Sequence, residues 1–344
     1  MSKAPAEMDV ARSGIATAHD VAKVAGVSQS AVSRAFTPGA SISERTRKRV
    51  LAAAEKLGYR PNQIARSLIS GRSRLIGIGV GNLRNPFFSE SLEALSVALD
   101  RAGYRSLIFP AIERPEVGSS LYDILNYRLD AVVLISTALS QAFSEACALA
   151  QVPIITFNRQ STDPNISSVV GENYVGARCL AAHLIAGRHD RYAFIAGGAE
   201  SSTSQEREAG FADYMAERGL PPPMREESRF TFEGAAAATR RLLMSASPPD
   251  AICCVNDYTA LAALNVAREE FGMVVGRDIS ITGYDDVPMA GWPIFALTTY
   301  RQSCDDMVDN VVRMIDELKQ GQGAASKIVL GGELVVRGST RTAR

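Results

Sequence analysis

Asp20-Val21-Ala22-Lys23-Val24-Ala25-Gly26-Val27-Ser28-Gln29-Ser30-Ala31-Val32-Ser33-Arg34 is the stretch that decides the N-terminal fold. Thr17, with Asp20 three residues later, predicts a capping box opening a helix that carries Val21, Ala22, Val24 and Ala25. Gly26, free to take a positive φ, ends that helix. Ser28 caps a second helix over Gln29–Phe36 with Val32 facing inward. Two helices joined by a four-residue turn around a glycine make a helix-turn-helix, whose second helix can enter the major groove of DNA. Gln29, Ser30 and Arg34 share the outward face opposite Val32. Gln matches adenine and Arg matches guanine through paired hydrogen bonds, whereas a Ser hydroxyl discriminates less. A plain helical bundle with a solvated polar face is the bland alternative. The small residues Ala22, Ala25 and Ala31, which let helices cross closely, weigh against it.

Outward from this core, Thr37-Pro38-Gly39-Ala40 reads as a loop, and Ser43 caps a third helix through Leu57 with Gly58 as its stop. Val50, Leu51, Ala54 and Leu57 recur along it at helical spacing. Residues 15–60 thus form a three-helix headpiece. Residues 1–14 have no apolar core before a cleavage site, so they read as a disordered tail and not an export signal. Residues 1–74 hold 13 Lys and Arg against 5 Asp and Glu, a surplus of +8, which leaves 24 against 32 in the rest. A basic block on an acidic body points to a polyanion. RNA, anionic lipid and DNA fit the charge equally; the motif selects double-stranded DNA.

From Leu75 onward apolar runs alternate with amphipathic segments. Strands are predicted at Leu75–Val80, Arg105–Phe109, Ala131–Ile135, Pro153–Phe157, Tyr192–Ala196, Ala251–Val255 and Ile279–Thr282. Helices are predicted near 87–102, 138–149, 173–187, 204–218, 233–245, 256–270 and 304–320. Continuous apolar strands alternating with helices imply parallel sheet buried on both faces. The βα units are too many for one open sheet, so the fold class is α/β with two doubly wound lobes behind a helical headpiece. Polar and aromatic residues fall just past strand ends: Asn82 to Phe88, Asn158 with Arg159, Asn256 with Asp257, and Tyr284 to Asp286. In such lobes these ends converge on a crevice. Forked Arg donors, Asn and Asp, and aromatic faces suit a sugar, a sugar acid or a nucleobase.

The 344 residues contain five cysteines with no CxxC pair or zinc spacing and no apolar run near ~18 residues. A reduced cytoplasmic protein is expected, with no membrane span, metal or cofactor. Phosphate-binding, dinucleotide and nucleophile-elbow motifs are missing, and His19, His183 and His189 have no candidate nucleophile beside them in the sequence. Enzymatic activity is not expected.

The runs DVAKVAGVSQSAVSRAF and SERTRKRVLAAAEKLGYRPNQIARSL resemble the headpiece of the lactose-repressor family nearly residue for residue. With the body, the likeness covers roughly residues 15–340. The resemblance implies a hinge helix at 61–72 that folds in a dimer on DNA, with Leu68 wedged in the minor groove; such a wedge kinks the duplex. Thr17, Ser33, Asn62 and Ala65 join Gln29, Ser30, Arg34 and Leu68 as DNA-contact candidates. Thr37 and Ile69 depart from the Asn and the Lys or Arg common at their positions.

NPFF, FNR, SQEREAGF, CVND and GYDD are likewise similar to family motifs. They imply that Asn85, Phe87, Arg159, Arg207, Phe230, Asn256 and Asp285 bind the effector, with Ser201 and Thr203 as weaker candidates. The family also implies discontinuous lobes, about 73–171 with 301–325 and 172–300 with 326–344. The expected protein is a homodimeric repressor, with a tetramer possible, on a pseudo-palindromic operator. A sugar or sugar acid in the cleft controls its operator affinity. A sugar receptor that does not bind DNA is the alternative; a periplasmic binding protein would need the export signal and lack the basic headpiece.

Overall fold

The computed structural model describes residues 16–37, 39–60, 73–111, 123–135, 139–321 and 324–341. The tail 1–14, Pro38 and the hinge segment 61–72, with Asn62, Ala65 and Leu68, lie outside the described residues. The chain divides into two compact units, residues 1–73 and 74–344.

In the first unit, α1 (Ala18–Ala25), α2 (Gln29–Ala35) and α3 (Glu44–Leu57) pack around Val21, Val32 and Val50. The caps are those the residue types favour. Thr17 Oγ1 accepts from the Asp20 amide at 3.3 Å while the Thr17 amide donates to the Asp20 carboxylate at 2.9 Å. Ser28 and Ser43 cap α2 and α3, and Gly26 and Gly58 end α1 and α3 at φ 58° and 61°. Val24 and Leu51 prove exposed, and Ala53 is buried in their place. Both lie roughly 100° round the helix from the centre of the buried stripe. Two arginines of α3 are structural: Arg47 donates to the Ala35 carbonyl at 3.0 Å, and Arg49 donates to the carbonyls of Ala25 and Gly26. They satisfy carbonyls left open at the ends of α2 and α1.

The second unit holds two six-stranded sheets. The first contains β1 (Leu75–Val80), β2 (Arg105–Pro110), β3 (Ala131–Ile135), β4 (Ile154–Phe157), β5 (Ser167–Gly171) and β11 (Lys327–Leu330), in the order β11-β5-β4-β3-β1-β2. Every pairing in it is parallel, with Val133 facing both Ile78 and Ile155. The second contains β6 (Tyr192–Ala196), β7 (Met224–Glu227), β8 (Ala251–Cys254), β9 (Ser280–Asp285), β10 (Thr298–Gln302) and β12 (Gly332–Val335), in the order β12-β10-β9-β8-β6-β7. Only β12, on its edge, runs antiparallel. Helices α4 (Pro86–Arg101), α5 (Gln141–Leu149) and α10 (Cys304–Lys319) belong to the first lobe. Helices α6 (Asn173–Ala186), α7 (Ser202–Glu217), α8 (Phe232–Leu243) and α9 (Asp257–Asn265) belong to the second.

The chain crosses between lobes at Glu172, Ser303 and Gly331. The expected crossings at 301 and 326 are therefore displaced. β11 pairs with β5 from Lys327 to Leu330, so 326–330 completes the first lobe and not the second. The crossings are tied together: the Glu172 amide donates to the Leu330 carbonyl at 2.9 Å, and the Tyr284 hydroxyl to the Glu172 carbonyl at 3.3 Å.

α6 and α7 pack most closely where Gly210 of α7 meets α6. A Cβ on Gly210 would overlap the Tyr174 carbonyl oxygen, a backbone atom with no rotamer to yield. Gly→Ala inside a helix normally stabilises by up to ~1 kcal/mol. Gly210→Ala is expected to do the opposite, lowering unfolding stability by about 1–3 kcal/mol through overpacking. Equilibrium denaturation checks the sign; a stabilised variant would refute this account of the packing.

Candidate functional site

The outward face of α2 presents Gln29, Ser30, Ser33 and Arg34, all exposed. Arg34, exposed on this face, donates through its Nε to the Ser30 carbonyl at 3.3 Å. Gln29 Nε2 lies 3.1 Å from His19 Nδ1 on α1. Thr17 has its hydroxyl committed to the cap, accepting from and donating to Asp20. Four of the named DNA-contact candidates thus share one helix face, and Thr17 stands at the start of α1.

The second site is the crevice between the lobes. It is lined by Asn85, Phe88, Asn158, Arg159, Ser201, Thr203, Arg207, Phe230, Asn256 and Asp285. Most end or follow a strand at its carboxyl end or open the helix after it, as doubly wound sheets require, and Arg207 reaches in from the second turn of α7. Asn85, Ser201 and Asn256 are N-caps of α4, α7 and α9, their side-chain oxygens accepting from the amides of Phe87, Ser204 and Thr259. Three lining residues, Asn158, Phe230 and Asp285, hold positive φ of 58°, 56° and 123°. Non-glycine backbone costs of order 1–3 kcal/mol in such regions and persists only where surroundings enforce it. Phe230 is held by its ring, which lies against Gly197, where any Cβ would overlap it.

Arg207 is 2% exposed and organises the floor. Its Nε donates to Asn173 Oδ1 at 2.9 Å, its Nη1 to the Val255 carbonyl at 2.7 Å, and its plane stacks 3.5 Å over the Tyr284 ring. Its Nη2 stands 3.5 Å from Asp285 Oδ1 without a hydrogen bond, and Asn158 Oδ1 is likewise buried without one. A buried charged donor and a buried amide acceptor facing one crevice form a receptacle for a polar guest.

Asp285 also accepts from Gln302 Nε2 at 2.8 Å. Burial pushes its carboxyl up, and Arg207 opposes that rise. Asp257, at the start of α9, is also pushed up by burial; it accepts from Thr299 at 2.5 Å and from the Val287 amide at 2.9 Å. Glu90 of α4 rises to about 7 through burial and the nearby Asp257, Glu93 and Asp286. Asp286, the second aspartate of the pair, bridges Arg301 and Arg337 at 2.7 Å each and braces the loop. Among the described residues no cluster of His, Cys, Asp and Glu has the makings of a metal site.

Six of the seven named effector residues meet in this crevice. Phe87 does not: it is 3% exposed and packs against Phe157 and Phe88 in the core of the first lobe. Phe88, its neighbour a step round the helix, takes the place at the wall. Asn158, grouped with Arg159 past a strand end but not among the seven effector residues, lines the crevice as well. The signal for it is an asparagine directly after a buried strand, where the left-handed backbone favours that residue.

The crevice is shut. It encloses about 20 Å³, room for one or two waters. A larger cavity of about 360 Å³ opens elsewhere, beside Gln160–Pro164 and Lys327, with no buried unpartnered group among its lining residues. Two hydrogen bonds clasp the lobes: Arg159 donates to the Glu200 carbonyl at 2.7 Å, and Thr203 Oγ1 to the Asn158 carbonyl at 3.0 Å. At ~1 kcal/mol each, removing both shifts the open-to-closed ratio roughly 30-fold. Arg159→Ala combined with Thr203→Val is therefore expected to raise the radius of gyration without effector. It should also speed amide exchange over 197–204. An unchanged scattering profile and unchanged exchange would contradict the clasp.

Two family models match the chain. The model described as bacterial regulatory proteins, lacI family, matches residues 17–62, and a periplasmic binding protein-like domain matches residues 181–340. The ribose operon repressor of Bacillus subtilis is 32% identical over 301 residues, covering 88% of this chain and 91% of its own. The lactose operon repressor of Escherichia coli is 30% identical over 328 residues, covering 94% and 90%. Among solved structures, the lac repressor dimer bound to operator and the anti-inducer ONPF superposes with a TM-score of 0.84 at 28% identity, covering 95% and 100%. A complex of the regulator CelR with cellobiose gives 0.72 at 27% identity, covering 94% and 99%.

Proposed function

Because the chain belongs to the lacI family of bacterial regulatory proteins, we propose that it is a cytoplasmic repressor whose grip on its operator is set by a small polar metabolite. The headpiece, residues 15–60, reads one half-site through Gln29, Ser30, Ser33 and Arg34. Residues 61–72 form the hinge, with Asn62, Ala65 and Leu68 at the DNA, and 73–344 form the effector-binding and dimerising body. Two copies bind a pseudo-palindromic operator, because three or four side chains over one half-site give little specificity alone. The protein acts by binding, without catalysis, metal or cofactor.

The observation that carries the effector half is the unpartnered pair in the crevice, Asn158 Oδ1 and Arg207 Nη2. A hydroxylated guest supplies a donor to the first and an acceptor to the second. Asn256 spends its oxygen on the cap, leaving its amide nitrogen for the ligand. Phe88 and Phe230 offer apolar walls suited to the C–H face of a sugar or to a ring. Effector binding and operator binding are coupled through the closure of the lobes.

The test is a screen of sugars and sugar acids by thermal shift, followed by operator titration with each hit. A hit changes operator affinity, typically 5- to 150-fold, and operator changes affinity for the hit by the same factor. Hits that leave operator affinity untouched would refute the coupling.

A further inference from the structure

β10 ends at Gln302, one residue before the crossing at Ser303, and β5 ends at Gly171, one residue before the crossing at Glu172. The two ends meet through one side chain. Gln302 is 5% exposed, and its Nε2 donates to Asp285 Oδ1 at 2.8 Å on the floor of the crevice. Its other end lies over Gly171, where any Cβ would overlap the amide oxygen. That oxygen is buried and accepts no hydrogen bond. Two residues back, the Tyr300 hydroxyl accepts from the Gly332 amide at 3.1 Å, beside the third crossing. The end of β10 thus touches all three places where the chain changes lobes. We infer that Gln302 is a positioning residue that joins the effector crevice to the lobe crossings, holding Asp285 in the second lobe and resisting closure against Gly171 of the first. This rests on the reading of the crevice as the effector site.

An ionised carboxylate only accepts, so the amide nitrogen faces Asp285 and the amide oxygen faces Gly171. If Asp285 takes a proton the amide turns over, and its nitrogen becomes the end without a partner. The role therefore survives either state of the carboxyl. A buried polar end without a partner disfavours the arrangement that buries it. Here that arrangement is the closed one, since Gly171 belongs to the first lobe and Gln302 to the second. Opening about the crossings wets the free end. A guest that bonds Asp285 acts on the same carboxylate that anchors Gln302, so occupancy of the crevice and closure of the lobes meet at one side chain.

The experiment follows closure in the full-length protein without any guest, by amide hydrogen exchange over 197–204, the clasped edge of the crevice. Gln302→Leu keeps the bulk and removes both polar ends, so closure is favoured and exchange is expected to slow roughly ten-fold. Gly171→Ala drives its methyl group into the amide and is expected to speed exchange. Combining it with Gln302→Ala makes room for the methyl group and should return exchange towards the wild-type rate. Gln302→Ala alone completes the cycle, because the effects of two residues in contact do not add. The Asp285 carboxyl, followed by carbon NMR and assigned with Asp285→Asn, should titrate above its wild-type value of about 7 in Gln302→Leu, where it loses a donor.

Wild-type exchange in Gln302→Leu, or additive effects of Gly171→Ala and Gln302→Ala, would overturn the link to the crossings. An unmoved Asp285 titration would overturn the hold on that carboxylate. Where Gly171→Ala does not fold, Gln302→Leu alone answers both questions. No guest is present, so these failures count against Gln302 only, and the sugar screen remains the separate test of the crevice as the effector site.

Discussion

Arg207→Ala is expected to abolish the response of operator binding to effector and to destabilise the body by about 3–5 kcal/mol. The cost comes from stranding a buried carboxylate. Arg207 is 2% exposed and Asp285 4%, so neither meets solvent when its partner leaves. Asn173 and the Val255 carbonyl lose their donor, and the Tyr284 ring loses its stacked cation. Lost stability and lost binding are separable. Arg207→Lys retains the charge but not the fork or the stack, so it should fold and still fail to respond.

The deficit also has a pH signature. Burial already holds the Asp285 carboxyl at about 7 against an ordinary 3.8, with Arg207 the main group pulling it down. Without Arg207 it rises further. A carboxyl raised in the folded state binds protons that the unfolded chain releases, so folding stability grows as pH falls through the folded value. The stability gap between wild type and Arg207→Ala should therefore be widest near pH 8 and shrink towards pH 5. A gap that widens on acidification would show that the lost interaction is not the one with Asp285.

Arg34→Ala is expected to cost about 1–3 kcal/mol at each half-site, and twice that on a symmetric operator bound by two copies, roughly 30- to 25,000-fold in affinity. Non-specific DNA binding should fall by far less, since it draws on phosphate contacts that many cations share. With only its Nε engaged, Arg34 would have both Nη groups available for two bonds to a guanine. Equal losses on operator and on random duplex would assign Arg34 to the phosphate backbone. Arg47 and Arg49 are poor candidates for this role despite their charge, because both are anchored to helix-end carbonyls inside the headpiece.

The sequence displayed the headpiece almost completely, because short helices announce themselves by their caps. Thr17, Ser28 and Ser43 cap helices with their side-chain oxygens, and Gly26 and Gly58 end them at positive φ. In the body, strands buried on both faces were legible as apolar runs, from Leu75–Val80 to Ile279–Thr282. The strands that escaped are β5, β7, β10, β11 and β12. Ser167-Ser-Val-Val-Gly and Thr298-Thr-Tyr-Arg-Gln mix polar residues into buried positions, and the Ser168 and Thr299 hydroxyls are paid for by bonds to Thr156 and Asp257. The other three lie at sheet edges, where one side is wet and the pattern weakens. Missing β11 displaced the last lobe boundary.

The crevice was legible as a set of residue types after strand ends, but not to the single residue. Phe87 and Phe88 are adjacent and chemically identical, and only the direction of α4 decides which one meets the cleft. The value of Asn158 rests on a backbone conformation and an unpartnered oxygen that no residue type reveals.

Regulation of this kind stands or falls on base-specific DNA reading by a symmetric pair of headpieces. Recovery and sequencing of what the full-length protein binds from a random duplex pool at ~150 mM salt tests it most directly. At that ionic strength phosphate-only binding is weakened and enrichment reports base readout. The expected outcome is a two-fold symmetric site with a flexible pyrimidine–purine step at its centre. No enrichment, either alone or with a metabolite extract present, would contradict the account.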